Sequence, residues 1–144
     1  MPAVPLLVDW LQDRQRGRGP VPVDDEYEVQ DLLRAILKLH FDDVRTEEWT
    51  SSYAGSSSRV DFLLPRERIV VEAKMTRASL GQKQVANELI IDRARYAAMD
   101  GVDTLICLVF DPERHCNNPA ALEHDLANTD GHLKVVAIVC PHGL

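Results

Sequence analysis

At 144 residues, 45% hydrophobic and 27% charged, the chain has the size and composition of one globular domain able to bury a core. A net charge of −7 gives no overall attraction for nucleic acid, three cysteines without framework spacing argue against a secreted disulfide scaffold, and no apolar run reaches membrane-spanning length. The start, Met1 to Trp10, lacks the basic flank and long apolar stretch of a signal peptide, so no membrane association and a cytoplasmic location are expected.

Residues 1–23 read as an appendage. A short apolar piece, Val4 to Leu11, precedes a linker rich in glycine, proline and arginine, in which Arg14, Arg16 and Arg18 either touch a phosphate backbone or are simply solvated. The domain proper is expected over 24–144. A helix starts near Asp24, with Val29, Leu32, Leu33, Ile36, Leu37 and His40 at helical spacing and acids in the first turn, where the dipole favours them. His40 on that face reads as a hydrogen-bonded core or edge histidine rather than a ligand. At 100° per residue Glu26 falls inside the apolar stripe and Glu28 outside it. Glu26 is therefore either a third acid or water-positioning group at a sheet-rim site, or a plain cap.

Asp43 to Thr50 reads as a first strand and Ser51 to Arg59 as a flexible loop. Within that loop Ser56, Ser57, Ser58 and Arg59 form either a phosphate cradle or a mobile linker. Two short strands joined by a turn follow, from Ser58 to Lys74. Side chains alternate along a strand, so Glu72 and Lys74 share a face, and in-register pairing brings Asp61 to Glu72. Two carboxylates and a cationic donor then converge, as magnesium-assisted hydrolysis of a phosphodiester requires: a hard cation on the carboxylates, an in-line water, and relief of charge on the nonbridging oxygens. Lys74 either orients or deprotonates the water, or neutralises charge on the phosphorane. An acid-x-Lys triplet alone is weak, since chance supplies about one per domain. Here it ends the buried-type run Ile69-Val70-Val71, which places charge at the rim of a sheet.

A long helix is expected over Leu80 to Met99, with Gln84, Glu88, Asp92 and Tyr96 in one row that either faces the site, Gln84 and Glu88 as accessory groups, or lies on solvated surface. Asp103 to Phe110 is a buried strand, Ala120 to Asn128 a short helix and Leu133 to Cys140 a last strand, with Cys107 and Cys140 as core thiols. The order defines an α/β layered domain. Charge is uneven: between residues 24 and 48 nine acids outweigh three bases, while between 59 and 83 six bases, Arg59, Arg77 and Lys83 among them, outweigh three acids. The hairpin segment is thus locally attractive to DNA, with modest and salt-sensitive affinity that points to a second subunit or partner. The histidines and cysteines from His115 to His142 fit no zinc-ligand spacing, and no glycine-rich phosphate loop, serine elbow or dinucleotide fingerprint is present.

Asp61, the turn, Glu72-Ala-Lys74 and the helix-strand order resemble the PD-(D/E)XK nuclease superfamily. More closely, Tyr53-Ala-Gly, Ser58-Arg-Val-Asp-Phe-Leu-Leu, Val71-Glu-Ala-Lys, Glu88-Leu-Ile-Ile-Asp-Arg-Ala-Arg-Tyr and Val109-Phe-Asp-Pro resemble the catalytic domain of DpnII/MboI-type restriction endonucleases, over about residues 24 to 141. The resemblance implies a restriction-endonuclease-like αβββαβ core with an additional C-terminal helix and strand. It also implies Mg²⁺-dependent DNA cleavage, Mn²⁺ substituting, in restriction or antiphage defence. Asp61, Glu72 and Lys74 match its catalytic set, Glu26 matches the helix acid loosely, and the metal falls to Asp61, Glu72 and the backbone carbonyl of Ala73. The chain departs from the pattern at Val60, where the signature has proline, and at Glu88, where related sequences tend to carry glutamine. Without the extra length used to read a base sequence, a module acting as a homodimer or under a recognition partner is expected. An RNA nuclease, or a non-catalytic assembly domain of the same fold, stays open as an alternative.

Overall fold

A computed structural model describes residues 23–46, 49–53, 56–127 and 129–141, with the side chains of 49–53, 56–59 and 129–130 excepted. The expected appendage with Arg14, Arg16 and Arg18, and the side chains of Ser56, Ser57, Ser58 and Arg59, lie outside the described residues. Helix α1 (Glu26–His40) starts at a reciprocal cap: the Asp25 carboxylate accepts the Glu28 amide at 3.0 Å, and the Glu28 carboxylate accepts the Asp25 amide at 3.1 Å. Val29, Leu33 and Leu37, four residues apart, are its buried stripe. His40 is exposed, contrary to expectation, because the helix ends at that residue and the chain turns extended at Phe41.

The strand expected over 43–50 is split. β1 (Arg45–Thr46) joins the main sheet, whereas β2 (Trp49–Tyr53) pairs antiparallel with β3 (Ser56–Arg59) as a separate two-stranded sheet. The expected loop is therefore a hairpin. Its serines carry no strand signal, but the ladder is made by backbone groups, and Trp49, Thr50 and Tyr53 are strand-forming types.

The remaining elements are β4 (Phe62–Leu64), β5 (Ile69–Met75), α2 (Gln82–Ala97), β6 (Thr104–Phe110), α3 (Pro119–Leu126), β7 (Thr129–Asp130) and β8 (Leu133–Cys140). The six-stranded sheet runs β1-β4-β5-β6-β8-β7, with β5, β6 and β8 parallel in the middle and antiparallel pairs outside. β6, apolar from Leu105 to Phe110, is the central strand of that parallel trio, as expected for a strand covered on both faces. The β4–β5 turn ends at Arg68 in the left-handed region (φ 60°). Its carbonyl accepts the amides of Asp103 and Thr104 and its guanidinium pairs with Asp103 at 2.6 Å, which ties the turn to the start of β6.

Two apolar layers sandwich the sheet. α1 packs with Phe62, Leu64, Val71, Ala73, Leu108 and Phe110 on one face, whereas α2 and α3 pack with Val60, Val70, Leu105, Cys107 and Val109 on the other. Alternation along β5 thus sends Val71 and Ala73 towards α1, and Val70, Glu72 and Lys74 towards α2. The αβββαβ core (α1, β1, β4, β5, α2, β6) followed by a further helix and strand is present, with the β2–β3 hairpin and β7 added to it. All three cysteines are buried and unpaired.

Candidate active site

The site begins with a mismatch in strand length. β4 begins only at Phe62, opposite Val71, while the antiparallel β5 runs on to Met75. Backbone amides of β5 that face the β4 side beyond Val71 have no strand partner, and a buried amide must find one. Side-chain carboxylates take them: Asp61 Oδ2 accepts the Ala73 amide at 2.8 Å, and Glu26 Oε2 accepts the Met75 amide at 3.2 Å. The register Phe62 to Val71, continued by one residue, sets Asp61 opposite Glu72, so the two carboxyl groups are neighbours close enough for the Asp61 charge to act on Glu72. Glu26 arrives from α1, across the opposite apolar layer. Capping falls to Asp25 and Glu28, so of the two readings of Glu26 the rim placement is the one found.

α2 supplies the other wall. Lys74 Nζ lies 3.2 Å from Glu88 Oε2 and 3.8 Å from Asp92 Oδ2, one helical turn apart. Tyr96, fully buried on the next turn, donates its phenol hydrogen to Glu72 Oε1. Arg95 Nη2 in turn donates to the Tyr96 oxygen at 2.6 Å and sits 3.1 Å from Asp92 Oδ1. The row Glu88, Asp92, Tyr96 therefore faces the site rather than solvent. This explains why α2 is only weakly amphipathic: its inward face carries acids and a tyrosine among Val85 and Leu89.

Electrostatics follow from burial. Glu72 is 4% exposed, and desolvation, reinforced by the neighbouring Asp61 charge, pushes its carboxyl up to about 9. Glu26 and Asp92 are also raised, chiefly by desolvation, against relief from the Met75 amide and Lys74 in the first case and from Lys74 and Arg95 in the second. Burial opposes the charge on Lys74, yet Asp92, Glu72 and Glu88 outweigh it and raise the lysine, so the ammonium is held protonated.

These donors fit a hard divalent cation. They are oxygens only, and Asp61 and Glu72 place two like charges together where a cation would relieve them. A strand residue directs N–H and C=O to the same side, so the Ala73 carbonyl faces the edge that its amide does. Among the described residues no three or more Asp, Glu, His or Cys side chains form a ready-made ligand cluster, so an ion here would need backbone oxygen and water beside the two carboxylates.

Other expected residues are not drawn in. Arg77 is exposed beyond β5, bonded to Ser79, and Lys83 and Gln84 line a groove of about 660 Å³ between α2 and α3 that contains none of the clustered acids. A smaller cleft of about 160 Å³ opens at Asp61, walled by Gln30, Asp31, Arg34, Thr46 and Phe62. Arg95 was not among the expected residues. Its signal is its place three residues after Asp92, on the helix face towards the sheet. Asp111, directly after β6, was also missed: it accepts Thr76 Oγ1 and the amides of His115 and Cys116, tying the end of β5 to the loop before α3.

The three-layer arrangement and the acid-lysine edge define an α/β domain of the restriction-endonuclease-like class. Residues 8–142 match the family model described as REase_DpnII-MboI, and the chain belongs to the DpnII-MboI restriction endonuclease family. No curated protein matches the chain. Membership in this family implies DNA binding and endonuclease activity. Among the described residues no helix is long and apolar enough to cross a membrane.

Proposed function

We propose that the protein is a Mg²⁺-dependent DNA endonuclease, with Mn²⁺ able to substitute, serving as an effector module of restriction or antiphage defence in the cytoplasm. One observation carries the reading: Asp61, directly before β4, neighbours Glu72 of β5, with Lys74 on the same face of β5 as Glu72. Asp61, Glu72 and the Ala73 carbonyl would hold the ion, which when bound supplies Lewis-acid polarisation of the phosphate and lowers the proton affinity of a water. Lys74, kept charged by Glu88 and Asp92, serves as the fixed cation on the nonbridging oxygens, which favours charge neutralisation over proton abstraction. Glu26, at the Met75 amide, is the third acid at the rim, suited to orient a water. Arg59, Arg77, Lys83 and the Ser56–Ser58 stretch would track the backbone, and Gln84 would border it. So few bases favour a homodimer or a recognition partner.

Purified protein is incubated with supercoiled plasmid, and separately with RNA, with Mg²⁺ or EDTA. Nicking of plasmid with Mg²⁺, reduced at least about 100-fold by Glu72→Ala or Lys74→Ala, is the expected outcome. Cleavage of RNA alone favours an RNA nuclease. No metal-dependent cleavage by folded protein favours a non-catalytic assembly domain.

A further inference from the structure

Glu72 does not present both of its oxygens. Its Oε1 accepts the phenol of Tyr96, whose oxygen is itself gripped by Arg95 Nη2 at 2.6 Å; the same Nη2 lies 3.7 Å from Oε1 and 3.1 Å from Asp92 Oδ1. The Arg95 guanidinium carbon lies 4.5 Å from the Tyr96 ring centre, so the two neighbouring side chains are folded together rather than splayed. Tyr96 is fully buried in the last turn of α2 and cannot swing away without opening the core around Leu105 and Val70. A buried phenol without an acceptor is costly, and so is a buried carboxylate without a donor, so each fixes the other.

We infer that Tyr96 and Arg95 form a positioning relay that locks the carboxylate of Glu72, leaving a single oxygen to act with Asp61 on a divalent cation. The inference rests on the nuclease reading above and adds two residues to it, neither of which touches substrate or ion. An unlocked Glu72 is free to rotate and to bond with Asp61 through either oxygen. The locked one offers a one-oxygen ligand in a fixed direction, as outer groups do for metal-binding side chains generally.

The test is divalent-ion affinity of the full chain without DNA, by titration calorimetry with Mn²⁺, on wild type, Tyr96→Phe and Arg95→Met, alongside plasmid nicking and the pH profile of Mn²⁺ binding. Tyr96→Phe keeps the ring in the core and removes only the hydroxyl. It is expected to weaken Mn²⁺ binding about 10–100-fold, to lower nicking in parallel and to shift the pH profile of binding, while circular dichroism stays native. Arg95→Met should weaken binding in the same direction by a smaller factor, and it decides the matter if Tyr96→Phe does not fold. Native-like variants with Mn²⁺ affinity within twofold of wild type overturn the relay, as does failure of both to fold, which would make the contacts purely structural. A wild type that binds no ion and cuts no DNA sinks the nuclease reading together with the relay. One that binds and cuts beside an unchanged Tyr96→Phe sinks the relay alone.

Discussion

Asp61 accepts the backbone amide of Ala73 at 2.8 Å, completing with a side chain the ladder that β4 leaves unfinished. The bond fixes one oxygen of Asp61 and turns the carboxyl group towards Glu72. Asp61→Asn retains an oxygen able to accept that amide but removes the charge. It should fold normally, with a melting temperature within a few degrees of wild type, and lose metal-dependent nicking by at least about 100-fold. Asp61→Ala should in addition strand the amide, at about 1–3 kcal/mol of stability, read from denaturant unfolding.

Glu72 sets a pH dependence. Its carboxyl rises from an ordinary 4.5 to about 9 through burial first and the Asp61 charge second. A folded-state value above the unfolded one means that the protonated form is favoured by folding. The stability it supplies is full below about 4.5 and is lost as pH climbs towards 9. The metal-free protein should therefore melt lower at pH 8.5 than at pH 5.5, and Ca²⁺ should recover the difference only at the higher pH. Glu72→Gln should flatten the profile, raise the metal-free melting temperature at pH 8.5 by about 2–8 °C, and abolish cleavage. A melting temperature that rises with pH in wild type would refute this.

Glu88 and Asp92 hold Lys74 unequally. Glu88 is 44% exposed and Asp92 11%, and Asp92 also carries Arg95. Glu88→Gln leaves Lys74 charged and should retain activity within about threefold, since an exposed pair is worth under about 1 kcal/mol. Asp92→Ala leaves two cations facing a largely buried gap and should cost about 3 kcal/mol in urea unfolding as well as most activity. Complete loss of cleavage in Glu88→Gln would make that glutamate essential.

Asp111 governs the acid side. Burial disfavours its charge, but the bonds from Thr76, Cys116 and His115 more than offset this and hold the carboxyl below its ordinary 3.8. That stabilisation is present above about pH 4 and is lost as pH falls through the lower folded-state value. Asp111→Asn should lower stability at pH 7 by about 1–3 kcal/mol and reduce the fall in melting temperature between pH 4 and pH 2.

Much of the site is legible because it depends on period. A period of two along β5 puts Glu72 with Lys74, a short turn puts Asp61 opposite Glu72, and a 3.6-residue period puts Glu26 at the inner end of α1. Long-range pairing is less legible. Nothing in the order of residues tells that Glu88, Asp92 and Tyr96 face β5, since the same row fits solvent; only packing of α2 by Val85 and Leu89 decides it. Arg95 escaped because its partners lie on its own helix and on the facing strand at once. The β2–β3 hairpin was concealed by serines, which mark loops by composition while the backbone forms the ladder.

Glu26 descends from a helix packed beneath the sheet, whereas Glu88, Asp92 and Tyr96 belong to one packed above it, and all of them converge on the overhanging end of β5. Neither half can assemble the constellation alone. Cleavage should therefore demand that both layers be docked at once. Destabilising either layer should silence the enzyme well before the chain as a whole is unfolded.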